Sequence, residues 1–155
     1  MFFTFGANVA RAPASVLFLC SQNAVRSPMA AALLGALAGR RVHIRSAGVR
    51  CGASDGFVIA VMQELGIDLA RHSPTPMADI ALEEFDLIVT LSPEAHHRAL
   101  DETRAAAVEV EYWPTPDPTV TDGLREERLA AYRSVRDQLE QRIRTRFLSG
   151  TAPVV

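Results

Sequence analysis

The chain has 155 residues, 48% of them hydrophobic and 22% charged, a balance suited to one globular domain with a core of its own. Its formal charge is −2, and its 16 basic residues, all arginine, are interleaved with Glu and Asp, which argues against a nucleic-acid partner held through its phosphates. No run is long and apolar enough to span a membrane. The opening MFFTFGANVARAPAS lacks a basic region and a long hydrophobic stretch, so it reads as a poor signal peptide, and the two cysteines suit the reducing cytoplasm. Residues 1–14 read as a loosely held arm, 15–150 as a single domain and 151–155 as a tail.

Residues 16–19 are too short and too rich in β-branched and aromatic side chains for a helix, and predict a buried strand with Cys20 at its carboxyl end. Ser27-Pro28 has the form of an N-cap followed by proline at the first helical position; residues 29–38 are nearly all Ala, Leu and Met, and Gly39 is a natural stop. Residues 41–46 predict a second strand. An apolar stripe of Phe57, Val58, Val61, Met62 and Leu65 predicts a helix over 54–65, ended by Gly66. The run 85–91 predicts the third strand, residues 93–99 begin a helix, and 108–113 predict the fourth strand. His96 and His97 are adjacent, about 100° apart on a helix, so they cannot chelate one metal from one face and read as exposed. After 120–123 comes a long helix with Leu129, Tyr132, Val135, Leu139, Ile143 and Phe147 on its apolar face and its arginines and glutamates in solvent. Strands alternating with helices predict an α/β fold: a four-stranded parallel sheet with helices on both faces.

The chemistry concentrates in Cys20-Ser21-Gln22-Asn23-Ala24-Val25-Arg26, between the first strand and the first helix. Backbone amides of such a loop, at a helix N-terminus, can surround a tetrahedral oxyanion, which makes Ser21, Gln22, Asn23, Ala24, Val25 and Ser27 candidate phosphate-binding positions. The same positive end and the Arg26 guanidinium favour a thiolate, making Cys20 a candidate nucleophile, while Arg26 can clamp two phosphate oxygens. In Trp113-Pro114-Thr115-Pro116-Asp117-Pro118-Thr119 three prolines stiffen the chain around Asp117, a candidate general acid placed by the last strand-to-helix loop. Ser46 closes the second strand, where the carboxyl ends of parallel strands border a ligand crevice. A buried structural cysteine and an aspartate in a proline-rich turn are the plain alternatives.

CSQNAVRSPMA, RSAGV at 45–49, ELGIDLARH at 64–72, FDLIVTL at 85–91 and PDP at 116–118 together resemble the low-molecular-weight protein tyrosine phosphatases and their relatives, the thioredoxin-coupled arsenate reductases. The resemblance implies a three-layer flavodoxin-like fold, a cysteinyl-phosphate intermediate, no metal and no organic cofactor. It also implies a phosphotyrosine protein or small aryl phosphate as substrate, a hydrogen bond from Ser46 to the loop asparagine Asn23, and His72 directed toward that asparagine and the loop serines.

Three departures from that pattern stand out. Gln22 replaces a common glycine; if the position requires positive φ, this costs on the order of 1 kcal/mol. Val25 replaces a second cysteine, leaving Cys51 as the only possible thiol partner of Cys20, and no cysteine follows the third strand to resolve an arsenylated nucleophile through thioredoxin. Thr119 and the stretch VRCGAS stand where aromatic pocket walls are common, with Phe57, Tyr112 and Trp113 as possible substitutes. The sequence therefore predicts a cysteine-dependent phosphomonoester hydrolase. Its alternatives are an arsenate reductase using an external thiol and a phosphate-binding module without turnover.

Overall fold

Among residues 12–148, which the computed structural model describes, β1 (Ser15–Cys20), β2 (His43–Gly48), β3 (Leu87–Thr90) and β4 (Glu109–Tyr112) form one parallel sheet in the order β2-β1-β3-β4. The two central strands are the continuous apolar runs, because both of their faces are covered; β2 and β4 lie at the edges and carry polar residues. Alternation along β1 divides the core in two. Val16, Phe18 and Cys20 face α1 (Arg26–Ala38), α2 (Gly56–Gln63) and α4 (Arg125–Ile143), whereas Leu17 and Leu19 face α3 (Pro93–Glu102) with Met77, Leu82 and Phe85. The expected three-layer α/β fold is the observed one. The strand order reverses between β1 and β3, so the crevice of the sheet opens at the carboxyl end of β1, where Cys20 stands.

Several boundaries differ from expectation. Ser27 does not cap α1: the helix begins at Arg26 after Val25, which offers no side-chain cap, and Pro28 falls at the third helical position, still within the first turn where an N–H has no intrahelical partner. β2 starts two residues later than predicted because Gly39, at φ 66°, and the two arginines after it coil into a 3₁₀ turn, Gly39–Arg41. α2 is capped by Asp55, whose Oδ1 accepts the N–H groups of Phe57 and Val58 while Oδ2 accepts the Tyr132 hydroxyl of α4 at 2.8 Å; burial, with Asp55 adding to it, pushes that hydroxyl's pKa up. Ser92 caps α3.

Two solvent assignments are overturned. His96 is half-buried, its ring stacked 4.7 Å from Tyr112 and its Nδ1 2.9 Å from Thr90 Oγ1, because the first turn of α3 packs beside the edge strand; His97 is exposed. Arg136 is buried on the inner side of α4, where Nη1 donates to the Val61 carbonyl and to Glu64. The expected tail and residues 1–11 of the expected arm lie outside the described residues. Ala14, the arm's last residue, is held at both ends of its peptide by Asp86 and His43. Among the described residues no helix is long and apolar enough to cross a membrane, and no cluster of His, Cys, Asp and Glu is arranged to hold a metal.

Candidate active site

The loop after Cys20 is held as an extension of the sheet. The carbonyls of Cys20, Ser21 and Gln22 accept the N–H groups of Val49, Arg50 and Gly52 at 2.8 to 2.9 Å. Gly48 lies beneath it with no room for a side chain: a Cβ there would sit 2.6 Å from Asn23 N, the Gln22 carbonyl carbon and Arg50 O, all backbone atoms. Asn23 turns the chain at φ 55°, a left-handed position that asparagine tolerates. Gln22 is not left-handed, so the strain anticipated for it does not arise; its side chain instead lies against Gly52.

Fully buried Asn23 is the hub of the loop. Its Nδ2 donates to Ser27 Oγ at 2.8 Å and to Ser46 Oγ at 2.9 Å, its Oδ1 accepts the Thr75 N–H at 2.8 Å, and its carbonyl oxygen lies 2.9 Å from His72 Nε2. Its own N–H points to Cys20 Sγ at 3.3 Å, and Ser27 Oγ lies 3.0 Å from the same sulfur. Ser27 Oγ also bonds the Ala47 carbonyl at 3.2 Å. These contacts explain why Ser27 is not a cap: the first turn of α1 directs its hydroxyl inward to the sulfur. The helix's leading N–H groups are left for an anion in the loop, and the helix dipole adds to their attraction.

The cleft above Cys20 is about 190 Å³, below the roughly 300–1,000 Å³ of pockets that enclose a drug-sized ligand, and so has room for a small tetrahedral oxyanion. Ser21, Gln22, Ala24, Val25 and Arg26 form its floor with the cysteine; Arg50, Asp117 and Thr119 form its walls. Arg26 is held by a bond from Nη1 to the Thr115 carbonyl at 3.0 Å, and its Nη2 lies 3.9 Å from Asp117 Oδ2. Asp117 Oδ1 accepts both the N–H and the hydroxyl of Thr119, at 3.0 and 2.7 Å, capping the turn Pro118–Val120 and leaving Oδ2 as the oxygen on the Arg26 side.

None of the three aromatic candidates lines the cleft. Trp113 is buried between Phe18 and Phe147, Phe57 stacks 5.3 Å from Tyr132 beneath the Arg128 guanidinium, and Tyr112 is covered by His96. Both cysteines are free thiols; Cys51 is exposed and donates to the Pro74 carbonyl at 3.4 Å. Sequence reasoning missed Ser92, whose Oγ lies 3.0 Å from Ser21 Oγ, and also Thr75, Gly48 and the wall residue Arg50. The Ser92-Pro93 cap was visible as a local motif, but nothing local ties it to Ser21.

A cysteine at the end of a central parallel strand, an uncapped helix behind an anion-sized loop, an arginine in that loop and a carboxylate above it define the class of α/β proteins that handle tetrahedral oxyanions through a thiol. The model of the low molecular weight phosphotyrosine protein phosphatase family matches residues 15–149, and the chain belongs to that family. It is 30% identical over 130 residues to an arsenate reductase of Halalkalibacterium halodurans, a match covering 84% of this chain and 92% of that protein. The YwlE arginine phosphatase from Geobacillus stearothermophilus superposes with a TM-score of 0.71 at 25% identity, covering 84% of this chain and 88% of that one. The tyrosine phosphatase amsI of Erwinia amylovora shares the fold, with a TM-score of 0.72 at 22% identity over 86% of this chain and 90% of that one.

Proposed function

We propose that the chain is a cysteine-dependent phosphomonoester hydrolase acting on aryl phosphates, phosphotyrosine among them, in the cytoplasm. The observation that carries this reading is the position of Cys20 Sγ at the base of an anion-sized cleft, with hydrogen-bonding groups of Ser27 and Asn23 on the sulfur and a carboxylate above. The Cys20 thiolate attacks phosphorus, forming the S–P bond as the ester P–O bond breaks. Arg26 and the loop amides hold the equatorial oxygens, where charge develops. Asp117 gives its proton to the departing oxygen. Water then attacks the cysteinyl-phosphate, Asp117 takes the proton back, and phosphate leaves as the thiolate is restored.

Ser27 supports the second step. Its single hydroxyl proton can serve either the Ala47 carbonyl or the sulfur, both of which lie within reach. A thiol can itself donate to Ser27 Oγ; a thiolate cannot, so the hydroxyl turns toward the sulfur and stabilises it as the leaving group. Asn23, His72 and Ser46 act by holding the loop in the shape that aims these donors.

The test is hydrolysis of an aryl phosphate by Cys20→Ser. Turnover should fall on the order of 10³-fold or more, and a loss of less than about tenfold would exclude the mechanism. Binding of phosphate or vanadate by wild type without any turnover would favour a binding module instead. Arsenate reduction is the second reading, supported by the 30%-identical relative named as an arsenate reductase. With no cysteine beyond Cys51, it requires an external thiol, which attacks the Cys20 sulfur of the arsenate adduct, giving a mixed disulfide and releasing As(III) with the electron pair. Faster thiol-dependent arsenate reduction than phosphotyrosine hydrolysis would select it.

A further inference from the structure

One wall of the cleft is a guanidinium. Arg50 lies two residues beyond the end of β2, and its backbone N–H is bonded to the Ser21 carbonyl at 2.9 Å, one residue from the nucleophile, so its Cα is fixed relative to the phosphate site. Its side chain is 55% exposed and tied through Nη1 to Glu94 Oε2 at 2.6 Å. Among the described residues nothing bonds its Nε or Nη2, which leaves most of a five-donor fork unused at the mouth of the cleft. Glu94 is anchored too: it lies in the first turn of α3, whose cap Ser92 meets Ser21 Oγ. The ion pair is thus braced at both ends against the residue next to Cys20. Glu94 does not line the cleft and Arg50 does, so of this ion pair it is the positive partner that faces a substrate's leaving group.

Arg26 already serves the phosphoryl group from inside the loop, with a second bond to Thr115 that keeps it there. Arg50 is therefore a second cation, outside the phosphoryl site, on walls that otherwise carry the Asp117 carboxyl, which the hydrolase reading assigns to the departing oxygen, and Thr119, whose hydroxyl is bonded to Asp117, and that have no aromatic face. A guanidinium fork with unused donors matches a planar carboxylate or a phosphate rather than a neutral ring. Resting on the hydrolase reading above, we propose that Arg50 sets specificity by pairing with an anionic group, a carboxylate or a second phosphate, carried on the substrate's leaving group close to the reacting phosphoryl. Glu94 holds the fork in place and competes with that anion.

The experiment compares kcat/KM for carboxyphenyl phosphate with that for phenyl phosphate in wild type, Arg50→Met and Glu94→Gln at low ionic strength. Arg50→Met, which keeps the apolar stem, should lower the acidic-to-neutral ratio by about threefold to fivefold, the upper size of an exposed ion pair, through KM of the acidic ester. Glu94→Gln removes the competitor and should raise the ratio by about twofold. The proposal is overturned if Arg50→Met keeps the ratio within about 1.5-fold of wild type, which includes an equal loss on both esters, or if Glu94→Gln lowers it. If wild type turns over neither ester, the hydrolase reading fails and the same ratio is read from equilibrium binding of the two esters, where Arg50→Met must again lose the preference for the proposal to stand.

Discussion

The floor and the walls of one cleft are built on opposite terms. On the floor, Asn23 satisfies four neighbours and the sulfur, Gly48 leaves no space for even a methyl group, and three successive carbonyls are bonded to the loop that follows β2. On the walls, Arg50 is 55% and Asp117 40% exposed, and Thr119 is exposed as well. On the proposed reading the floor meets a phosphoryl group whose shape never changes, so rigidity there improves the alignment of reacting atoms. On the same reading the walls meet the variable part of the substrate, and there Arg50 and Thr119, unlike Asp117, change preference without entering the reaction.

Asp117 tests the contrast most severely, because it is a wall residue stiffened as the floor is, by flanking prolines and by its own bonds to Thr119. Asp117→Asn should reduce turnover of a phenyl ester by roughly 10²–10⁴-fold and remove the alkaline limb of the pH profile, with a smaller loss on an ester whose leaving group needs no proton. An unchanged profile would remove Asp117 from the chemistry. A floor change comes next: Gly48→Ala forces backbone apart and should cost about 1–3 kcal/mol of stability by thermal unfolding, together with roughly 10²-fold in kcat on every ester alike. Substrate-dependent loss would show that the floor also discriminates.

A wall change should instead redistribute activity. Thr119→Tyr supplies the missing ring and should raise phosphotyrosine kcat/KM about threefold to tenfold over an alkyl phosphate, the worth of one aromatic contact. The smallest effect lies away from the cleft, where Glu64 of the turn after α2 receives Arg133 and Arg136 of α4, the Arg133 hydrogen bonds first, which hold its carboxyl down at about 2 from an ordinary 4.5. Because the folded-state value is the lower one, the stabilisation is complete above pH 4.5 and is lost as pH falls toward 2. The melting temperatures of wild type and Glu64→Gln should differ at pH 6 and converge on acidification through that window. A constant difference would mean that the carboxylate's charge is not what joins α2 to α4.

What the sequence determined by itself was whatever is encoded over a few neighbouring residues. The apolar run of β1, the Ala- and Leu-rich α1, the stop at Gly39 and the alternation of strands and helices follow from local side-chain chemistry, and they were enough for the fold class. They also marked Cys20, Arg26 and Asp117 as candidates, since a strand end, a helix start and a proline-stiffened loop are local features. Local signals misplaced Ser27, because the Ser-Pro pair has the form of a cap while the structure starts the helix earlier and turns the hydroxyl to the sulfur. They placed the question of positive φ on Gln22, whereas the left-handed residue is Asn23, held by partners at positions 46, 72 and 75. They put His96 in solvent, did not single out Arg50 within the stretch VRCGAS that the resemblance set at a pocket wall, and gave no hint that Ser92 would meet Ser21. Tertiary structure alone decided these points, because each depends on a contact between segments distant in the chain, and the energy of such a contact enters only when the sheet brings the carboxyl ends of its strands together.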